Sequence, residues 1–152
     1  MTWSTKFDPN LWIQLDVWKL WYPIIAQWLQ ILWDLASYIS TDIAQVSAKP
    51  TFNLIPSLIK GFTNSELKRR CKTCYESYDN SIYELDPRRK SLASGDYCGV
   101  NVHAGGAYDD AEDCKDTFDG LPSILYQIQL GNQNLEDLSG ITLVISNLLD
   151  MK

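Results

Sequence analysis

Apolar residues recur along most of the chain at intervals of three and four, the period of one face of an α-helix. Residues 10–22 place Leu11, Leu15, Trp18 and Trp21 at this spacing ahead of Pro23. From about residue 24 to 48 the set Ile25, Trp28, Leu32, Leu35, Ile39 and Ile43 continues the period, and Pro50 is expected to end the run. A short apolar segment, 52–59, then leads to Gly61. The next helix has a start signal, because Thr63 and Glu66 fit the Thr-x-x-Glu capping box, in which two side chains satisfy unpaired backbone N–H groups. Leu67, Cys71, Cys74, Tyr78, Ile82 and Leu85 follow on one face. Pro87 lacks an N–H and crowds the preceding turn, so it should bend or end this helix.

Ser94 and Gly95 predict a tight turn, with Asp96 as the cap of the element that follows. Tyr97, Val100, Ala104, Ala107, Ala111, Cys114 and Phe118 form its apolar stripe. Gly105 and Gly106 weaken the middle of that helix by about 1 kcal/mol each relative to Ala, or else permit close packing against a neighbour. Residues 120–131 read as a loop, and a last helix over about 132–149 carries Leu135, Leu138, Ile141, Ile145, Leu148 and Leu149. No alternating run bounded by turns argues for a sheet. The expected fold is all-α, an up-and-down four-helix bundle with an N-terminal helical extension. The expected division is a Trp-rich helical segment over 1–37 and the bundle over 38–152.

The chain has 152 residues, enough for one domain with a real core. With 45% hydrophobic and 21% charged residues it has a globular composition. Its net charge of −6 argues against nucleic acid and suits a basic partner. His103 is the single histidine, which is too few for His-based acid–base chemistry or a His-rich metal site. It reads as a surface or half-buried side chain rather than a ligand. Asp109, Asp110, Glu112, Asp113, Asp116 and Asp119 read as a solvated helix face, with a contact surface for a basic enzyme as the functional reading. Crowded on one helix without a cleft, these carboxylates do not suggest glycosidase chemistry. No catalytic, cofactor-binding or metal residue is assigned.

The opening residues, MTWSTKFDPN, lack a basic start leading into an apolar run, so no signal peptide is read there. The stretch 20–33 imitates one but is interrupted by Pro23, Gln27 and Gln30 and is too short for a membrane span. Trp18, Trp21, Trp28 and Trp33 are expected mainly in the core, although Trp12 and these four do not share one face. An interfacial membrane helix would have only Lys6 and Lys19 for anionic lipid, so membrane contact is not expected.

The four cysteines carry the sharpest geometric signal. Cys74 lies 21 residues before the turn at Gly95 and Cys114 lies 19 after it, so an antiparallel helix pair sets them level, both on apolar stripes. A disulfide between them would close a loop worth roughly 3–4 kcal/mol. Cys98 falls level with a residue near 90, close to 30 Å up the helix from Cys71 at ~1.5 Å per residue, so both read as free thiols. Cys71 would lie in the core and Cys98 near the turn. Cys71-Lys-Thr-Cys74 also spells C-x-x-C, but it lies inside a helix with no strand before it, unlike a redox motif.

From about Tyr38 to Leu149 the chain resembles the plant invertase and pectin methylesterase inhibitor family. The resemblance rests on Cys74-Tyr-Glu-Ser-Tyr78, on Gly95-Asp-Tyr97, on Ala107-Tyr-Asp-Asp110 running into Asp113-Cys-Lys-Asp-Thr-Phe118, and on the closing 135–149 segment. The family links the positions of Cys74 and Cys114. Within it, the nearest likeness is to the branch labelled as invertase inhibitors, which includes pollen allergens. The resemblance implies a non-enzymatic, extracellular protein of the apoplast. Its partner would be a cell-wall pectin methylesterase or an acid invertase, capped at the active site in a reversible one-to-one complex. Contact is expected from exposed residues of the helices around 69–89 and 96–116.

Four departures stand out. Residues 1–37 lack the family's second cysteine pair and carry six tryptophans instead. Gly105-Gly-Ala107 replaces Ser-Ala-Ala. Pro87 and Arg89 fall where the family keeps an unbroken helix, and Tyr97-Cys-Gly99 stands where active invertase inhibitors tend to carry Pro-Lys-Phe. The alternative is a diverged, non-inhibitory bundle that acts as an interaction or membrane-surface protein through its Trp-rich start.

Overall fold

The computed structural model describes residues 17–120 and 126–150. Four helices follow one another: α1 (Val17–Gly61), α2 (Ser65–Ser94), α3 (Tyr97–Asp116) and α4 (Tyr126–Asp150). Packing runs round a square, α1 on α2, α2 on α3, α3 on α4 and α4 back on α1, while the diagonal pairs have no close backbone approach. This is the all-α up-and-down bundle, and α1 is long enough to project beyond it. The tryptophan-rich start that falls on residues 1–16 lies outside the described residues; the boundary expected at residue 37 falls within α1.

The α2–α3 corner follows the sequence closely. Cys71, Cys74, Tyr78, Leu85 and Leu92 from α2 are buried, as are Val100, Ala104, Ala107, Ala111 and Cys114 from α3 and Phe118 just beyond it. Gly95 closes α2 at φ 72°, a left-handed conformation that favours glycine. Asp96 then caps α3 by accepting from the Gly99 N–H at 2.9 Å. The cap of α2 is Asn64 rather than Thr63: its Oδ1 accepts from the N–H groups of Glu66 (2.8 Å) and Leu67 (3.1 Å). Moved one position closer to the cap, Glu66 turns to Arg69 and Arg70 instead.

The prolines do not break the helices. Pro23, Pro50 and Pro56 lie inside α1, and Pro87 lies inside α2. Each removes one helical hydrogen bond, a cost of about 3 kcal/mol or more in an isolated helix. Buried apolar neighbours offset it where the bundle is formed: Ile55 lies beside Pro56 and Leu85 two residues before Pro87.

The largest departure concerns which face of α1 is inside. Ile25, Trp28, Leu32, Leu35, Ile39 and Ile43 are all exposed, as are Trp18, Trp21 and Trp33. The buried face is instead Ser37, Ser40, Thr41, Ala44, Ala48, Thr51 and Ile55. Small side chains let α1 approach α4 closely, and the hydroxyls of Ser40 and Thr41 are satisfied there, whereas that of Ser37 has no partner among the described residues. Thr41 donates to the Ser37 carbonyl at 2.8 Å, and Ser40 meets Thr142 of α4 at 2.7 Å. A ranking by hydrophobicity therefore picks the wrong side of this helix.

Residues from 126 to 131, expected in a loop, belong to α4, and Gly131 is buried. A Cβ there would overlap Thr51 Oγ1 and come within 2.7 Å of the Tyr78 hydroxyl. Gly131, not the Gly105–Gly106 pair, is thus the closest helix approach; Cβ atoms at that pair would meet only ordinary contacts of 3.9 and 3.5 Å. Gly131→Ala should lower stability by about 1–3 kcal/mol, the usual cost of overpacking, whereas Gly106→Ala should not destabilise. Urea unfolding of the two variants side by side tests this contrast.

Candidate contact surface

Cys74 and Cys114 are joined by a disulfide across α2 and α3, with Cα atoms 4.3 Å apart. Cys71 is free and buried, and desolvation pushes its thiol above the ordinary range. Cys98 is free and exposed near the α2–α3 turn. Among the described residues no group of three or more His, Cys, Asp or Glu side chains could hold a metal ion. No described helix is long and apolar enough to cross a membrane.

The bond sits in the main cluster of buried side chains, with Cys71, Tyr78, Ala111 and Phe118. Polar links fasten the same corner from its edges. Arg70 of α2 donates to the Thr117 carbonyl at 2.7 Å, just past the end of α3. Glu84 of α2 meets His103 Nδ1 of α3 at 2.5 Å, both half-buried. Lys115 of α3 pairs with Glu136 of α4 at 3.3 Å. Arg89 ties α2 to α1 through Asp42 and through Gln45 at 3.1 Å. Tyr97, at the start of α3, donates to Asp34 of α1 at 2.9 Å and accepts from Gln30 at 2.6 Å.

Within α2 the pairing of Glu66 with Arg69 and Arg70 was open to prediction from i,i+3 and i,i+4 spacing. These two guanidinium groups hold the Glu66 carboxyl down at about 2. The links from Arg89 and Tyr97 join residues more than forty apart, and no local pattern marks them. Arg88 was also invisible in the sequence. It is fully buried, and its three guanidinium nitrogens have no hydrogen-bond partner among the described residues. Burial, together with the charge on Arg89, brings it down to about 10.

The outward face of this fastened pair is strongly polar. Asp109, Glu112, Asp113, Asp116 and Asp119 are exposed, as the sequence pattern implied. Asp110 differs: it is half-buried, and desolvation raises its carboxyl to about 6, with Asp113, Glu84 and Asp109 adding repulsion. Two large apolar side chains stand out on the same two helices, Tyr83 of α2 at 74% and Val102 of α3 at 65% exposure. Two helices joined by a covalent tie, with a few apolar groups among charges on their outward face, have the make-up of a candidate contact surface.

Comparison with known proteins agrees. The family model described as Plant invertase/pectin methylesterase inhibitor matches residues 26–151. The chain belongs to that family. A pectinesterase inhibitor of Actinidia deliciosa is 46% identical over 110 residues, covering 72% of this chain and 60% of the relative. Pectinesterase inhibitor 1 of Arabidopsis thaliana is 32% identical over 108 residues, covering 71% and 61%. A Platanus acerifolia protein provisionally named an invertase inhibitor is 25% identical over 111 residues, covering 73% and 62%. The chain thus spans about three fifths of the length of these relatives. The crystal structure of a pectin methylesterase inhibitor from Arabidopsis thaliana superposes with a TM-score of 0.71 at 32% identity, covering 76% of each chain.

Asp110 gives a pH test of the geometry. Its folded value lies above the ordinary 3.8, so the site favours the protonated carboxyl. That contribution is complete at pH values below the unfolded value and is lost as pH rises through the folded one. Asp110→Asn, which stays neutral, should raise the unfolding temperature at about pH 7.5 and leave it nearly unchanged at about pH 3.5. Thermal unfolding followed by circular dichroism at both pH values checks the difference.

Proposed function

We propose that this protein is a proteinaceous inhibitor of pectin methylesterase in the plant cell wall. It would bind over the enzyme's active-site cleft through the outward faces of α2 and α3, as a reversible one-to-one complex. The observation that carries this reading is the family match over residues 26–151 together with a covalently fastened α2–α3 pair. The choice of pectin methylesterase over acid invertase is supported by 46% identity to a pectinesterase inhibitor against 25% to a relative named for invertase.

The physical argument is one of preorganisation. An inhibitor need not perform chemistry. It must present shape and charge without an ordering cost on binding, and a braced helix pair keeps that cost low. The acidic residues of α3 suit a basic rim and would speed encounter more than they tighten the complex. Tyr83 and Val102 supply the apolar contact that such a charged surface otherwise lacks, and exposed aromatic side chains are favoured as interface anchors.

Titration of the oxidised protein into a plant pectin methylesterase and a plant acid invertase, at mildly acidic pH, tests the proposal. Saturable loss of pectin methylesterase activity at one equivalent is expected, with invertase unaffected. Tyr83→Ala should weaken inhibition about tenfold or more, the scale of an interface anchor. Undiminished activity of both enzymes, with helical content and the disulfide verified, would refute the proposal.

A further inference from the structure

The exposed face of α1 is not a random scatter of apolar residues. Trp18, Trp21, Ile25, Trp28, Leu32, Leu35 and Ile39 follow one another at steps of three, four, three, four, three and four; Asp42 takes the next seam position and Val46 the one after it. This is the a/d pattern of a coiled-coil seam carried through more than three heptads. All eight apolar side chains are exposed, over 48–72% of their surface. Tyr22, Ile24, Leu29, Ile31 and Ile43, also exposed, widen the seam on both flanks. Pro23 falls at an f position, off the seam, where its missing N–H does not disturb the packing edge.

We infer that this seam is an interface between two copies of the chain, formed by α1 of one protomer lying along α1 of its partner. The period is the first argument. A strict heptad stripe matches another helix of the same period, knob into hole, and a second copy carries the same stripe, as a two-fold interface requires. Area is the second. From Trp18 to Val46 the stripe runs about 42 Å at ~1.5 Å per residue. Its half-exposed large side chains present on the order of 1,000 Å² per chain, against the ~800 Å² per partner of a stable complex. Monomers rarely leave an apolar patch larger than about 300–600 Å² uncovered. Charge is the third. Asp34 turns toward the bundle, to Tyr97, and Asp42, the one acid at a seam position, is paired with Arg89. Between residues 17 and 48 the one cation is Lys19, and the whole chain carries −6, a poor match for an anionic lipid surface. The seam points away from the buried Ser37–Thr41–Ala44–Ala48 face, so two copies can join along α1 while α2 and α3 stay free for another partner.

Sedimentation equilibrium of the full oxidised chain, with and without neutral phosphatidylcholine vesicles, tests the inference. The expected mass is twice 17.4 kDa. The double variant Trp28→Glu/Leu32→Glu should sediment as a single chain, with helical content and disulfide unchanged because neither side chain is in the bundle core. Val144→Glu, an equally exposed apolar site on α4, should remain dimeric. A wild-type mass of one chain would overturn the inference, as would a mass above two chains, a dimer that survives the seam substitutions, or a single chain that floats with the vesicles.

Discussion

Everything else in this molecule depends on how α1 meets the bundle. It docks through serine, threonine and alanine, and the contact between Ser40 and Thr142 at 2.7 Å marks how near the backbones come. Gly131 is the counterpart on α4, with no room for a Cβ against Thr51 and Tyr78. Close approach of small residues lets the hydroxyls of Ser40, Thr41 and Thr142 find partners inside the bundle, where an unpaired polar group is costly. The same choice turns the large apolar residues of α1 outward. One docking decision thus produces a tight polar seam within the protomer and an apolar seam outside it.

The opposite corner is built on different chemistry. Between α2 and α3 the stripes are apolar, the disulfide is central, and ionic links lie at the edges. A loop of forty residues closed by Cys74 and Cys114 restricts the unfolded chain, an effect of about 3–4 kcal/mol. This helps to offset two evident costs: a proline inside α2, and the unpaired guanidinium of Arg88, whose burial costs several kcal/mol. The division of labour is consistent with function. The braced corner is the surface proposed for the enzyme, and the outward seam of α1 the one proposed for a second copy.

Legibility in the sequence followed the same division. The stripes of α2 and α3 could be read because their buried positions are also their apolar ones, from Cys71 to Leu85 and from Val100 to Cys114. The level placement of Cys74 and Cys114 came from counting along an antiparallel pair. The face of α1 could not be read this way, since Ser37, Ser40 and Thr41 are buried by proximity rather than hydrophobicity. Pro50 and Pro87 misled because local cost was weighed without the packing that overrides it. Asn64 and Thr63 are both good caps, and only backbone geometry chose between them. Gly131 looked like the edge of a loop because a glycine's use as a contact point leaves no mark in a single sequence. As for the contact surface, its helices and acidic face were legible, but Tyr83, Val102 and the long-range ties of Arg89 and Tyr97 required the fold.

The most direct test of the central claim, that the fastened α2–α3 pair is the working surface, is hydrogen–deuterium exchange of the full chain with and without pectin methylesterase. The account predicts added protection in peptides from Ser65–Ser94 and Tyr97–Asp116, with the exchange of 17–35 unchanged by the enzyme. Protection confined to 17–35, with α2 and α3 unaffected in a verified complex, would contradict it.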